Sequence, residues 1–260
     1  MAAMLYRISG ILLILSSLLG FLGQIFALAL WEGYYLFGHH LIGDLGVSAC
    51  EQIRDDSGPR YICSPGHDWF NYGTALSGIL LLIGAVVLVA AGRETGPAEK
   101  VAGFYPVGVA LIISGITMSV VGFFPSDVNA PLHDAAATTR VLATWVAMVT
   151  ATWVVGGAVA KQQMPILHGS SRILSLILLL VSVGAFALLF SGGGSTPGFY
   201  QRLSFEVLSV WTILLGAVLY RVPGRGQREE KKRRQREQFR AAQQERDEAV
   251  RKAVENLEGN

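Results

Sequence analysis

Six long stretches almost free of charge dominate this chain, at about 8–30, 72–91, 101–124, 134–160, 173–191 and 203–220. A hydrocarbon core about 30 Å thick is crossed by about 20 apolar residues in a helix, which satisfies its own backbone hydrogen bonds where no water is present. Each stretch is therefore expected to span a membrane, and the chain to be an all-α integral membrane protein built as a six-transmembrane-helix bundle. Composition agrees: only 15% of residues are charged, against about a quarter in soluble domains. The first stretch, preceded by Arg7 and ending in "ALA" at 27–29, has the outline of a secretory leader. It stays apolar for more than twenty residues, beyond the roughly 7–15 of a leader's apolar region, and is expected to remain as a span.

The sharpest break in composition follows Tyr220, where forty residues hold twelve of the 21 Lys and Arg and eight of the 19 acids. Two regions are expected: a membrane domain over 1–221 and a charged helical tail over 222–260. In the tail, "REEKKRRQREQ" at 228–238 mixes charge with good helix formers, while Phe239, Ala242, Val250, Ala253 and Leu257 form a thin apolar line broken at Arg246. Basic residues beside a span gain about 1 kcal/mol each near anionic lipid. The first part of the tail is therefore expected on the inner leaflet, with a protein partner as the further candidate. The run lacks the interleaved aromatics of a nucleic-acid binder, so no nucleic acid is expected.

Lys and Arg near span ends favour the cytoplasmic side. A cytoplasmic N-terminus puts Arg7, Arg93, Lys100, Lys161, Arg172 and the basic tail inside, and leaves only Arg54, Arg60, Arg140 and Arg202 outside. Six spans return the chain to its starting side, so both termini are expected in the cytoplasm of a cell-membrane protein. Residues 31–71 then form one long external loop that carries the only cysteines, Cys50 and Cys63. Outside the cell they are expected to pair, closing a loop of about 14 residues for roughly 3 kcal/mol. Ser48 and Glu51 have capping-box spacing, which predicts a short helix carrying Cys50 ahead of the turn "DDSGPR" at 55–60.

The outer side gathers nine acids and four histidines. His67, Asp68, Asp127, His133 and Asp134 have the donor chemistry of a cation site, but no H-E-x-x-H or similarly closed spacing supports one. No cofactor is indicated. Pairing among acids, histidines and arginines at the span ends is the simpler expectation. Pro125 should stop the third span, while Pro131 suits the first turn of the fourth, capped by Asn129 or Ala130. His133, Ala137 and Arg140 then share one helix face. Arg140 would lie below the rim, where it must reach outward or find a carboxylate. Glu206 is the natural candidate, able to pair with Arg202 four residues before it, with Arg140, or with both. Gly108, Gly115 and Gly122 recur every seven residues and predict a close-packed seam on the third span, with Gly20, Gly23, Gly156 and Gly157 as further small-residue positions.

Three stretches carry a family resemblance: "IGDLG" at 42–46, "WFNYGTALSGILL" at 69–81 and "VGFFPSDVNAPLHDAAA" at 121–137. The chain resembles the bacterial multi-pass membrane proteins catalogued as domain of unknown function 998, over about residues 5–220. Asp44, Leu45, Gly46, Asn71, Phe124, Pro125, Asp127 and His133 match the family pattern, while Gly43 stands where that pattern has serine. The resemblance implies a six-helix membrane protein, distantly similar to eukaryotic families linked to lipid-anchor remodelling, and supplies no reaction. Asp44, Asn71, Asp127, His133, Arg140, Arg202 and Glu206 are together expected to form an external polar crevice that engages a lipid head group or a membrane partner. The alternative is a membrane-embedded hydrolase or transferase acting on outer-leaflet lipid, with His133 and Asp127 as acid, base or metal ligands.

Overall fold

The computed structural model describes residues 1–55, 58–94, 104–153, 167, 169–191 and 196–258. The described residues form six helices: α1 (Ala2–Ala29), α2 (His67–Glu94), α3 (Phe104–Phe123), α4 (Ser126–Trp153), α5 (Ser170–Phe190) and α6 (Pro197–Glu258). Between α1 and α2 lie a 3-10 turn at Gly43–Gly46 and a hairpin of β1 (Glu51–Asp55) and β2 (Gly58–Ile62). The chain divides into two compact units, Met1–Tyr220 and Arg221–Asn260. In the second unit the described backbone is helical as far as Glu258. Lys100, Gly156, Gly157, Lys161 and His168 lie outside the described residues.

Among the described residues, α1, α2, Tyr105–Phe123 of α3, α5 and Pro197–Arg221 of α6 are long and apolar enough to cross a membrane. The described part of α4 is not among them. It carries Arg140 and a scatter of threonines, and the rest of its expected span, 154–160, is outside the described residues.

The first unit buries small polar side chains among apolar ones such as Leu13, Leu88, Leu111 and Trp211. Serines and threonines such as Ser9, Ser16, Ser77, Ser114 and Thr144 are buried, whereas Leu15, Leu22, Ile177 and Leu180 are exposed. That is the economy of a bundle in lipid, where large apolar side chains lose nothing by facing outward and small ones let backbones approach. Ser16 Oγ donates to the Ser77 carbonyl at 2.8 Å, Ser77 Oγ donates to the Ser16 carbonyl at 2.6 Å, and Ser9 Oγ donates to Gly84 O, so α1 and α2 are cross-bonded along their length. The glycine seam of α3 packs on α2: a Cβ at Gly115 would lie 2.7 Å from the Leu82 nitrogen, and one at Gly122 would collide with the Ala75 backbone. Gly10 and Gly216 bring α1 against α6 in the same way. Serines tie α5 in, with Trp145 Nε1 of α4 donating to Ser182 Oγ, and Trp211 Nε1 of α6 donating to Ser175 Oγ, both at 2.9 Å.

Cys50 and Cys63 form a disulfide. The helix expected around Cys50 is absent, and Glu51 opens strand β1 instead. The register pairs Glu51 with Ile62, which brings the two cysteines beside each other just beyond the last rung, and Gly58 takes φ +94° in the turn. Local capping spacing loses here to a cross-strand ladder. Ser48 is committed elsewhere, as described below. The rest of the "DDSGPR" turn, at 56–57, lies outside the described residues.

Candidate functional site

At the end of the bundle bearing the hairpin, residues 31–66 form a cap, and most of the matching family residues hold it down. Asp44 accepts from Arg60 Nε at 2.7 Å and Nη2 at 2.9 Å, a buried bidentate pair, and also from the Leu41 amide at 2.7 Å. Leu45 is fully buried against Ala27 and Phe70. Asn71 Nδ2 donates to Gly46 O at 2.8 Å, and Gly46 has no room for a side chain against Asn71 and Phe70. Asp127 accepts from both the Ser48 amide, at 2.8 Å, and Ser48 Oγ, at 2.6 Å. His40 receives the Leu36 N–H on Nδ1, so its proton is on Nε2, which donates to Tyr61 O at 2.9 Å. Asn71 and Asp127 therefore fasten the cap to the helices, while Asp44 closes the cap on itself through Arg60 and Leu41.

Arg202 belongs with them. Its guanidinium lies 5.1 Å from the ring centres of both Tyr35 and Phe37, and Nη1 donates to Glu206 Oε1 at 3.3 Å. Two of its buried nitrogens have no hydrogen-bond acceptor among the described residues. The aromatic faces offset part of that loss.

Beneath the cap lies a cavity of about 60 Å³, walled in part by the apolar Phe70, Met118, Val121 and Phe205. Gln24 of α1, His133 and Arg140 of α4, Gln201, Glu206 and Ser209 of α6 all line it, under Ile42 and Gly43 of the cap. A water needs roughly 10–15 Å³ measured this way, so the cavity suits a few waters or one small polar group. Of the seven crevice residues expected from sequence, His133, Arg140 and Glu206 meet here; Asp44, Asn71, Asp127 and Arg202 do not line it. A smaller void below, of about 10 Å³, shares Arg140 and Ser209 and adds Ser114, Thr144 and Thr212.

The α3–α4 reversal sets the cavity wall. α3 ends at Phe123, two residues ahead of Pro125. Asn129 leaves helical geometry at φ −154° and its Oδ1 accepts the Leu132 N–H, so it is the cap expected before Pro131. The restarted helix points His133 inward. His133 Nδ1 lies 3.0 Å from Phe124 O, and a carbonyl only accepts, so Nδ1 carries a proton and, in the neutral ring, Nε2 keeps its lone pair. A Cβ at Gly43 would sit 3.4 Å from that Nε2. Glycine therefore leaves the ring nitrogen uncovered where serine would place a hydroxyl.

Of the partners expected for Glu206, Arg202 is the one it meets, and Arg140 is not. Glu206 is engaged by Arg202, and Arg140 Nη2 reaches only Ser209 Oγ, at 3.4 Å. The cation set is also dispersed: no three His, Cys, Asp or Glu groups converge among the described residues. His67 binds Ser64 O and lies 3.5 Å from Asp68, Asp127 holds Ser48, and His133 holds Phe124 O.

A family model described as "Protein of unknown function (DUF998)" matches residues 14–218. The chain belongs to the DUF998 family. No curated protein and no solved structure matches it. The match covers α1 to α6 of the membrane unit, cap and cavity included. Within this DUF998 chain, Gln24, Gln201 and Ser209 are site residues that motif reading passed over. A lone amide in the otherwise uncharged first stretch was the available signal.

Proposed function

We propose that this multi-pass DUF998 protein has six spans and cytoplasmic termini, faces its cap out of the cell membrane, and uses the cavity beneath it to hold the polar head group of a membrane lipid. The observation that carries this reading is the contrast in partnering at one end of the bundle: Asp44, His40, Asn71 and Asp127 are paired and Arg202 sets its two unaccepted nitrogens among aromatic rings, while His133, Arg140, Gln24 and Gln201 line a cavity sized for one small group. The disulfide and the weight of Lys and Arg at the other span ends support the sidedness. A charged helix after the last span offers a surface for a protein partner.

Ala137 lies between His133 and Arg140 on the cavity wall, so Ala137→Phe fills the space without removing a polar group. Native mass spectrometry of the wild-type chain taken from membranes should find retained lipid, and the filled variant should lose it. Identical retention in both would overturn the reading. For sidedness, Asp134→Cys should react with an impermeant maleimide in intact cells; labelling only after permeabilisation would reverse the topology.

A second reading, a lipid hydrolase or transferase, draws on the unprotonated Nε2 of His133 as a base. Its companion Asp127 is bound to Ser48, so His133 would act without it. Turnover of a lipid that His133→Gln abolishes while lipid retention persists would establish that reading over simple binding.

A further inference from the structure

The cavity contains a charge without an answer. Arg140 lies seven residues past His133 on α4, two turns deeper into the bundle, and among the described residues its guanidinium's one hydrogen bond is the long contact to Ser209. The carboxylates of this end of the bundle are taken: Glu206 by Arg202, Asp44 by Arg60 and Asp127 by Ser48. Arg140, Arg202 and Glu206 together leave one positive charge in excess. A guanidinium held away from bulk water costs several kcal/mol unless a counter-charge reaches it.

The neighbouring groups say what kind of counter-charge fits. Gln201 accepts the Ile42 N–H on Oε1 at 2.6 Å, which leaves its NH2 end free to donate. Ser209 adds a hydroxyl, and the guanidinium presents a planar fork that matches two oxygens of one oxyanion. His133 Nε2 is the exception, a lone pair that needs a donor. A phosphate monoester in its monoanionic form, which keeps one P–OH beside its charged oxygens and prevails below a second pKa of about 6, meets these demands within a cavity of about 60 Å³.

We infer that the cavity is an oxyanion site for a phosphate monoester group, either free in solution or at the end of a lipid, with Arg140 as its counter-ion and His133 Nε2 accepting its remaining proton. This rests on the head-group reading above and narrows it to one chemical class.

The test uses the full chain with its disulfide intact, reconstituted in phosphatidylcholine nanodiscs. One arm titrates inorganic phosphate by calorimetry, and the other adds phosphatidic acid and reads retained lipid by native mass spectrometry. Saturable binding is expected in at least one arm; phosphatidic acid alone would mark the lipid source, phosphate in both forms the soluble one. Arg140→Gln should weaken that binding by about thirtyfold or more, and Arg140→Lys, which keeps charge but not the fork, by less. Gly43→Ser, whose hydroxyl would occupy Nε2, should weaken it with Arg140 untouched. Melting temperatures near wild type in Arg140→Lys and Gly43→Ser guard against misfolding as the cause.

Phosphate binding that ignores both Arg140→Gln and Gly43→Ser, or acetate that competes on equal terms, would overturn the inference. If neutral lipid is retained and lost in Ala137→Phe while no phosphate binds in either arm, the head-group reading stands and the oxyanion assignment falls. If nothing is retained and Ala137→Phe changes nothing, both fall.

Discussion

The cap and the cavity stand within a few residues of each other and treat polar groups in opposite ways. In the cap, Asp44 meets Arg60 on both oxygens, Asn71 meets Gly46, Asp127 meets Ser48, and His40 uses both ring nitrogens. In the cavity, Arg140 reaches one distant hydroxyl and His133 leaves a lone pair open. Satisfied groups fix a shape; unsatisfied ones in an enclosed space are poised for something that arrives from outside. The difference separates two roles that the sequence presents as one polar cluster.

Breaking the cap should therefore cost stability, and altering the cavity should cost binding. The largest effect is expected from Asp44→Ala, which strands Arg60 in a buried site and should destabilise by about 3–5 kcal/mol, read as a lower thermal midpoint in detergent. Loss of the disulfide through Cys50→Ser with Cys63→Ser should cost about 3 kcal/mol by the same assay, since the cross-link restrains the unfolded loop. Gly122→Val drives a side chain into the α2 backbone at Ala75 and should cost about 1–3 kcal/mol, with the α2–α3 seam opening. Asp127→Ala removes an exposed acceptor of two hydrogen bonds and should cost about 0.5–1 kcal/mol. Smallest of all, Arg140→Gln should leave the midpoint within about 0.5 kcal/mol of wild type or raise it, because a desolvated charge disappears. A collapse in Arg140→Gln equal to that of Asp44→Ala would erase the distinction between the two regions.

Much of the bundle was legible because membranes impose a one-dimensional code. Helix positions followed from apolar length, the α3–α4 reversal from Pro125, Asn129 and Pro131, and the helix seam from the spacing of Gly108, Gly115 and Gly122. The hairpin was misread, since Ser48 and Glu51 carry a local helix signal that the Glu51–Ile62 pairing overrides. Arg140 was a candidate partner of Glu206, but helix rotation and the position of Arg202 send that carboxylate elsewhere. Gln24 and Gln201 went unnoticed as site residues because no motif links positions so far apart in the chain.

By itself, then, the order of residues determined which segments are long and apolar enough to cross a membrane, where they turn and which cysteines meet, because burial cost and backbone hydrogen bonding act locally along the chain. Only the packed molecule decided which polar groups close on each other and which are left facing a cavity. Pairing at 3 Å depends on how the helices are rotated and on how the loop is folded over them, and neither is written in spacing alone.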